Sequence, residues 1–357
     1  MPDRFERYDF PLPPHLIAQH PLPARDASRL MLLRRGTDAI AHHVFSALPA
    51  LLPPEALLVL NNTRVPPRRL AARLASGVEL EALLVAPEPE AQWGPGVWRA
   101  RVRKARRLKP GSRVPFAGGH LPATALERTE DGGWRLRFDE PAGLAEGLEA
   151  HGLAPLPPYI RRAVHDGYAG APAQADRAAY QTCYAAQDGA IAAPTAGLHF
   201  TPAVLEALRA RGIETAELTL HVGLGTFAKA QVDDPAEHAM HAEWYALPPR
   251  AAAQVSAARA AGRSVIAVGT TSVRALESWA AAGSPPGGEG WTALYIRPGF
   301  RFQVVDGLLT NFHLPRSTLL LLVSAFHGRE RVLAAYREAV TQGYRFFSFG
   351  DCMLIAP

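Results

Sequence analysis

AAPTAGLHFTPAVLEALRARGIETAELTLHVGLGTF, from Ala192 to Phe227, places a helical segment between two short apolar runs. Thr201 as N-cap and Pro202 at the first helical position predict the start of the helix, and Gly212 predicts its end. Each apolar run is joined to a glycine-containing turn that carries a histidine. Such turns present amides, hydroxyls and imidazoles at a rigid strand edge, where chemistry is usually located. This stretch predicts an α/β unit with a functional site at its strand ends.

The same alternation of helical and apolar segments extends outward from this stretch. Further helices are predicted at 249–262, 272–282 and 328–342, with the one above at 202–211. Strands are predicted at 57–62, 189–193, 214–220, 264–269, 291–296 and 317–325. The alternation predicts an α/β fold with a mixed sheet and flanking helices. The Gly/Pro/Ala-rich segment 280–290 is predicted to be a surface loop.

Between about Arg68 and Asp139, the residue pattern changes from alternating helices and strands to short strand-like segments. Short alternating segments such as VELEALLV, VWRARVR and GWRLRFD are separated by Gly, Pro and acidic turns. That spacing predicts a small all-β antiparallel barrel. The predicted organisation is therefore a discontinuous α/β domain, residues 1–66 and 150–357, with a β-barrel domain inserted at 67–149.

Composition excludes several classes of protein. The chain has 357 residues, of which 48% are hydrophobic and 20% charged, as in ordinary globular proteins. The apolar stretch Thr318–Phe326 is too short to span a bilayer, and the N-terminus lacks an apolar signal core. Cys183 and Cys352 are too few for a disulfide framework and are predicted to be small buried hydrophobes. We expect a cytoplasmic, monomeric protein with no membrane contact.

Positive charge is concentrated in one segment. The net charge is +5, and Arg99–Arg113 holds eight basic residues with no acidic one. Such a run fits phosphate contacts, although alternating Arg and Ala/Val also fits a solvated strand face. Arg64 follows a predicted strand, and its guanidinium suits bidentate oxyanions. The candidate nucleic-acid contacts are Arg64, Arg103, Lys104, Arg106 and Arg107.

Polar residues cluster in turns that follow predicted strands. Besides the opening stretch, TNFHLPRSTLL (Thr310–Leu320) and YRFFSFGDCML (Tyr344–Leu354) combine them with Gly, Pro and aromatic residues. In GTTSVR, Ser272 is the predicted N-cap of a helix, whose N-terminus favours anions. The candidate substrate-binding residues are Thr195, Gly197, Gly223, Gly225, Thr226, Thr271, Ser272, Arg274, Asn311 and Asp351. The glycines would let the backbone approach a ligand closely.

Three familiar motifs are absent or incomplete. The GLG of HVGLGTF lacks the third glycine and following helix of a dinucleotide fingerprint, and no GxSxG occurs. His238, His241 and Glu243 lie close in sequence, but their spacing is not HExxH. We therefore predict no metal site, and a hydrogen-bonding or acid/base role is the favoured interpretation.

Eight motifs resemble one family, in order along the chain. They are YDFPLPPHLIAQHPLPARDASRL, LNNTRVPPRRL, APTAGLHFT, LTLHVGLGTF, HAMHAEWY, VGTTSVRALES, TNFHLPRSTLL and YRFFSFGD. Together, from Tyr8 to Leu354, they resemble the S-adenosylmethionine:tRNA ribosyltransferase-isomerases of queuosine biosynthesis. Two positions depart from the family pattern. Ala228-Lys229 stands where an Arg-Pro pair is usual, which would replace a guanidinium fork with a point charge, and Phe349 stands where Tyr is frequent.

The resemblance implies a specific reaction. A ribosyl group moves from S-adenosylmethionine to 7-aminomethyl-7-deazaguanine at the tRNA wobble position and is isomerised, giving epoxyqueuosine, adenine and methionine. S-adenosylmethionine is then a consumed cosubstrate, and no cofactor is implied. Proton removal from C5′ and protonation of adenine need a base and an acid, for which histidine is suited. The catalytic candidates are His199, His221, His241 and His313, with acid and base unassigned.

Two other functions remain open at this level. A non-catalytic RNA-binding protein would use the basic segment, although the densest polar turns lie outside it. An S-adenosylmethionine-dependent RNA methyltransferase would need a glycine-rich βα turn that the sequence does not show.

Overall fold

The chain forms two compact units in the computed structural model, which describes residues 4–162, 171–227 and 232–357. The larger unit comprises Met1–Arg64 and Gln181–Pro357, and the smaller unit comprises Val65–Tyr180. The smaller unit thus begins close to the predicted boundary at 66/67. It extends to Tyr180, whereas the sequence placed its end at 149.

The strands of the described residues follow one another in chain order. They are β1 (Arg29–Arg34), β2 (Ile40–Val44), β3 (Leu57–Asn61), β4 (Thr63–Arg64), β5 (Arg69–Arg73), β6 (Glu79–Pro87), β7 (Val97–Arg103), β8 (Arg113–Phe116), β9 (Leu121–Arg128), β10 (Trp134–Phe138), β11 (Gln187–Asp188), β12 (Glu214–Leu220), β13 (Glu243–Leu247), β14 (Val265–Val268), β15 (Gly288–Thr292), β16 (Gly307–Asn311) and β17 (Cys352–Ala356).

The α-helices are numbered in the same way. They are α1 (Leu48–Leu51), α2 (Glu90–Trp93), α3 (Leu144–His151), α4 (Ala171–Ala179), α5 (Pro202–Ala210), α6 (Pro249–Ala260), α7 (Thr270–Ala281), α8 (Thr318–His327) and α9 (Arg329–Thr341). Short 3₁₀ turns connect several of them, including Thr195–His199 and Leu224–Phe227.

The larger unit is built on a nine-stranded mixed sheet. Its strand order is β15-β13-β12-β3-β14-β16-β17-β1-β2, and β12, β3, β14 and β16 run parallel to one another. β3 and β14 are buried along their whole length, as expected of central parallel strands. Their side chains join those of α5 in one apolar core. The predicted mixed sheet with flanking helices is confirmed.

The smaller unit is a six-stranded antiparallel sheet in the order β5-β6-β7-β10-β9-β8. Its end strands β5 and β8 lie next to each other, so the sheet curls into a nearly closed barrel. Leu84, Ala100 and Trp134 are among the residues that fill its separate core. The predicted inserted β-barrel is confirmed.

Local signals placed helix α5 of the larger unit correctly. Thr201 accepts a hydrogen bond from Val204 N at 3.3 Å, and α5 begins at Pro202 as predicted. Gly212 follows the helix with a φ of +72°, a conformation that glycine adopts without strain. None of the helices in the described ranges combines the length and apolarity needed to cross a bilayer.

Two predicted strands are wrong. Residues 317–325 form most of helix α8, because Ser317 caps it by accepting from Leu320 N at 3.2 Å. A short apolar run does not distinguish a buried strand from a buried helix by periodicity alone. Residues 189–193 contain no strand, although Gly189 N and Ala190 N donate to Arg64 O at 3.3 Å and Ile191 N donates to Val222 O at 2.9 Å. At 291–296 the strand begins earlier and ends at Thr292, so β15 also takes part of the predicted 280–290 loop.

Two smaller predictions are also wrong. Helix α7 begins at Thr270 with Gly269 as its N-cap residue, so Ser272 lies inside the first turn. The Ser272 hydroxyl donates to Val268 O at 2.8 Å instead of capping the helix. Cys183 is exposed, whereas Cys352 is fully buried as expected. Burial raises the pKa of the Cys352 thiol.

Candidate active site

The polar turns predicted from the sequence meet at one edge of the nine-stranded sheet. The four parallel strands end there, and β17 and β1, which run the opposite way, begin there. In open α/β sheets, ligands bind outside the carboxyl ends of parallel strands. The residues at this edge include Ser28, Asn61, His221, Gly269, Asn311 and Asp351.

His199 lies within a chain of hydrogen bonds that runs from Asn311 to the backbone of Arg25. Its Nε2 is 3.2 Å from Asn311 Nδ2, and its Nδ1 is 2.7 Å from Ser28 Oγ. Because the amide nitrogen can only donate, Nε2 accepts and Nδ1 carries the proton. Ser28 Oγ passes the chain on to Arg25 O at 3.0 Å. Burial, followed by the positive charges of Arg345 and Arg25, lowers the pKa of His199 to about 3. The imidazole is therefore neutral, with both nitrogens engaged.

Asn311 and Asp351 hold the backbone of the neighbouring turns. Asn311 Nδ2 also donates to Phe347 O at 3.0 Å, which fixes the orientation of its amide. Asp351 is buried, and its two carboxylate oxygens accept from Arg29 N at 2.9 Å and from Arg345 N at 2.8 Å. Asp351 thus ties the start of β1 to the YRFFSFGD turn.

His313 is similarly enclosed. Its Nε2 lies 2.9 Å from Thr310 Oγ1, and its backbone N–H donates to Tyr336 Oη at 3.0 Å. Burial lowers the pKa of His313 to about 3. Like His199, it is neutral in the folded protein at neutral pH.

His221 differs from these two histidines because it directly follows β12 at the sheet edge and is not buried. Its Nδ1 lies 2.8 Å from Thr63 Oγ1, and its ring stacks on Trp244 with centroids 4.9 Å apart and planes inclined by 21°. The backbone of Gly189 presses against the ring, since a Cβ there would lie 2.5 Å from Nε2. His221 is partly exposed.

Asn61 connects three elements at this edge. Its Oδ1 accepts from Thr63 N at 3.1 Å and from Leu220 N at 3.0 Å. Its Nδ2 donates to Leu220 O at 3.0 Å and to Thr271 Oγ1 at 3.1 Å. A single buried amide therefore fixes the end of β3 against the end of β12 and the first turn of α7.

A buried ion pair supports the loop that follows β12. Glu243 Oε1 accepts from Gly223 N at 2.7 Å, and Glu243 Oε2 pairs with Arg274 Nη1. Arg274 Nε donates to Leu294 O at 3.0 Å and its Nη2 to Thr292 O at 3.2 Å. The Arg274 guanidinium is thus bonded to protein groups. Through Glu243, it also supports the backbone of the HVGLGTF loop.

The first turn of α7 approaches the TAGLH turn. A Cβ added to Gly269 would lie 3.6 Å from the Ala196 Cβ, and Gly269 has a φ of +88°. No side chain caps this helix start, although Thr270 is buried. Its leading amide N–H groups and the partly exposed Thr271 face the region between the two turns.

The glycines approach protein side chains closely. A Cβ on Gly197 would lie 2.1 Å from Tyr184 Oη, and one on Gly225 would lie 2.5 Å from His241 Cδ2. Thr195 opens the 3₁₀ turn that carries His199. Thr226 closes the HVGLGTF loop within Leu224–Phe227, and Lys229 lies outside the described residues.

The candidate metal ligands point to other roles. Glu243 is taken up by Gly223 and Arg274, and His238 packs against the rings of Phe5 and Tyr295. Burial and the charge of His241 lower the pKa of His238. Across the described residues, no three His, Cys, Asp or Glu side chains are grouped so as to hold a metal ion.

The basic segment lies in the smaller unit, where carboxylates partly neutralise it. Arg101 pairs with Asp131 at 3.0 Å, and Arg103 lies 3.7 Å from Glu81. Lys104 and Arg106 are exposed in the turn after β7, and the side chain of Arg107 is outside the described part. Arg64, in the larger unit, pairs with Asp188 at 3.1 Å.

The structure therefore brings together two groups of predicted residues. His199 and Asn311 are bonded to each other beside the backbone turn that Asp351 holds, while His221 and Thr271 are joined through Asn61 and Thr63. His313 and Arg274 face other protein groups, and the basic segment belongs to the other unit. Sequence reasoning missed three contributors at this edge that lie far from their partners along the chain: Ser28, Trp244 and the Glu243–Arg274 pair.

Comparison with known proteins agrees with this layout. A family model described as "Queuosine biosynthesis protein" matches residues 5–355. An S-adenosylmethionine:tRNA ribosyltransferase-isomerase of Heliobacterium modesticaldum is 51% identical over 352 residues, covering 98% of each chain. The chain belongs to this family. One from Moorella thermoacetica is 49% identical over 99% of both chains.

A solved member of the ribosyltransferase family shares the fold. The crystal structure of S-adenosylmethionine tRNA ribosyltransferase from Thermotoga maritima is 38% identical in sequence, with a TM-score of 0.55. The match covers 98% of this chain and 99% of the other. The fold described above is thus shared with this relative over nearly the whole length of both chains.

Proposed function

We propose that this protein transfers the ribosyl group of S-adenosylmethionine to 7-aminomethyl-7-deazaguanine at the wobble position of tRNA and isomerises it. The products are epoxyqueuosine in the tRNA, adenine and methionine. The observation that carries the proposal is the end-to-end match to relatives named for this reaction, at about half sequence identity. The gathering of their shared motifs at one sheet edge supports it.

The chemistry assigns different tasks to the four histidines. The sulfonium acidifies the C5′ protons, so a positioned base starts the reaction, and adenine leaves more readily when a ring nitrogen is protonated. His199 and His313 are buried, and burial lowers their pKa values to about 3, which suits them to support rather than to proton transfer. His221 and His241 flank the HVGLGTF loop, and we assign the two proton transfers to them.

The substrate-binding groups follow from the same edge. The uncapped start of α7 offers amide N–H groups and a positive dipole end to the methionine carboxylate. The Thr271 hydroxyl, held by Asn61, adds a polar contact there. Gly223 and Gly225 hold the loop between His221 and His241 close to the Glu243–Arg274 pair.

No cofactor or metal enters this proposal, because the sulfonium already makes methionine a good leaving group. S-adenosylmethionine is consumed as a substrate, and tRNA is the second substrate. Lys104, Arg106 and their neighbours in the smaller unit supply phosphate contacts. We place the protein in the cytoplasm as a monomer.

The test is a product analysis with the intact protein. It is incubated with precursor tRNA and S-adenosylmethionine, and small-molecule products are separated. Adenine and methionine in equal amounts, together with modified tRNA, are expected. S-adenosylhomocysteine would indicate a methyltransferase instead. Tight tRNA binding with the cosubstrate left intact would indicate a non-catalytic RNA-binding protein.

A further inference from the structure

An aromatic row crosses the outer strands of the nine-stranded sheet. Trp244 on β13 is in register with Trp291 on β15, and His221 N donates to Trp244 O at 2.9 Å at the end of β12. Residues directly opposite one another on neighbouring antiparallel strands share a face. His221, Trp244 and Trp291 therefore form one line running from the candidate active site to the edge of the sheet.

Trp291 is unusually exposed. Its side chain is 72% exposed, and Val44 on the opposite edge strand, at 47%, is the other large hydrophobic residue exposed among the described residues. Trp291 therefore leaves a large aromatic surface in solvent beside the stacked His221–Trp244 pair. Ala246, a small residue, flanks Trp244 on the same face of its strand, and Trp244 is partly exposed.

The charges around the row select its ligand. β12, β13 and β15 contain no lysine or arginine, and Glu289 lies two residues from Trp291 on the same face. A phosphate is thus disfavoured there, whereas a flat neutral ring gains by stacking. The glutamate and the two glycines of β15 also make it a poor edge for pairing with a second copy of the chain.

We propose that Trp291, with Trp244, is a stacking platform for an unpaired nucleobase of the tRNA anticodon loop, a few nucleotides from the base that reacts beside His221. This rests on the proposed function. Neighbouring strands are ~4.8 Å apart, so Trp291 lies about 10 Å from His221. That distance is roughly three stacked nucleotides at 3.4 Å each. The platform holds the anticodon loop through ring contacts with a base and makes no contact with phosphate.

The test compares tRNA binding by the intact protein and four variants at two salt concentrations. Trp291→Ala and Trp291→Leu should weaken binding about 5- to 150-fold, since stacking contributes ~1–3 kcal/mol per base. Trp291→Phe should retain most of the affinity, and Val44→Ala is the matched control for removing an exposed apolar group. The salt slope should be unchanged in all four, because every phosphate contact remains in place. 2-Aminopurine placed about three nucleotides from the wobble position should be quenched by the wild type and not by Trp291→Ala.

Separate outcomes overturn the platform and the proposed function. The platform would be overturned if Trp291→Ala bound tRNA as tightly as the wild type, or if it still quenched the 2-aminopurine. In either case, adenine release by the wild type would leave the proposed function standing. A change of sedimentation in Trp291→Ala with unaltered tRNA binding would assign the row to a second copy of the chain. A wild type that binds tRNA but releases no adenine would overturn the proposed function.

Discussion

Four histidines that look alike in the sequence differ in their chemistry because of their neighbours. His199 accepts from one amide, donates to one hydroxyl and is buried, so its protonated form is strongly disfavoured. His221 has one nitrogen on Thr63 and a ring partly open to solvent. At the residue scale, burial separates the supporting imidazoles of His199 and His313 from His221, whose ring is partly open to solvent.

Replacing His221 and His199 should therefore have different effects. His221→Ala should lower single-turnover adenine release by ~10²–10⁴-fold and leave thermal unfolding nearly unchanged. His199→Ala should instead destabilise the fold by about 2–4 kcal/mol, because it leaves a cavity and unpaired partners. Both are measured by adenine release beside unfolding curves. A His199 variant that folds normally yet loses turnover would return that residue to the catalytic set.

The depressed pKa values also predict how stability depends on pH. The native pKa of His199 is about 3 against an ordinary 6.5, so between these values the unfolded chain binds more protons than the native one. Stability from this group is full above pH 6.5 and is lost as the pH falls toward 3, by at most ~1.4 kcal/mol per pH unit. His313 adds a second contribution of the same sign.

Denaturant unfolding at several pH values from 4 to 7 measures this dependence. His199→Gln should show a shallower loss of stability with acid than the wild type, since one titrating group is gone. Equal slopes for the two proteins would mean that His199 titrates normally in the folded state.

At the element scale, prediction from sequence succeeded where a local signal sets the structure. Thr201, Pro202 and Gly212 mark α5 by capping chemistry alone, and the uniformly apolar β3 and β14 follow from their central position in the sheet. It failed for α8, because an apolar run of nine residues fits a buried helix as well as a strand.

The site was predictable by location but less so by role. The polar turns marked His221 and Asn311 as candidate site residues, and the sheet topology brings both to one edge. The tasks depend on partners that are distant in sequence. The sequence suggested that Arg274 contacts a substrate anion, but in the structure its charge is paired with that of Glu243, thirty-one residues away. The sequence suggested that Asp351 accepts hydrogen bonds from substrate, but in the structure each of its carboxylate oxygens accepts from a backbone N–H group.

The Glu243–Arg274 pair gives a prediction about the loop between β12 and β13. Glu243→Ala should destabilise the protein by about 3–5 kcal/mol, because Arg274 is left buried without its countercharge. Glu243→Gln keeps an acceptor for Gly223 N and should cost less. Hydrogen exchange at the Gly223 amide should be accelerated in the alanine variant more than in the glutamine variant. Unchanged protection of that amide in both would show that the loop does not depend on the pair.

At the scale of the whole molecule, the two units differ in charge and in polarity. The polar networks and the aromatic row lie in the larger unit, while the basic run of eight residues lies in the smaller one. Arg101, Arg103 and Arg113 each have a carboxylate partner, which reduces the charge available to a polyanion. Lys104 and Arg106 project from the turn after β7, where Lys104 has a φ of +58°.

Neutralising that turn should change how tRNA binding responds to salt. Removing one phosphate contact lowers the slope of log K against log [salt] by ~0.7–0.9, so Lys104→Gln/Arg106→Gln should flatten it by up to about two units. Arg211→Gln/Arg259→Gln removes the same charge from exposed positions near the amino ends of β12 and β14, away from the candidate site. Binding titrations from low to moderate salt should show flattening for the first pair alone. Equal flattening for both pairs would mean that net charge, and not this turn, attracts the tRNA. No flattening in the first pair would remove the turn from the RNA interface.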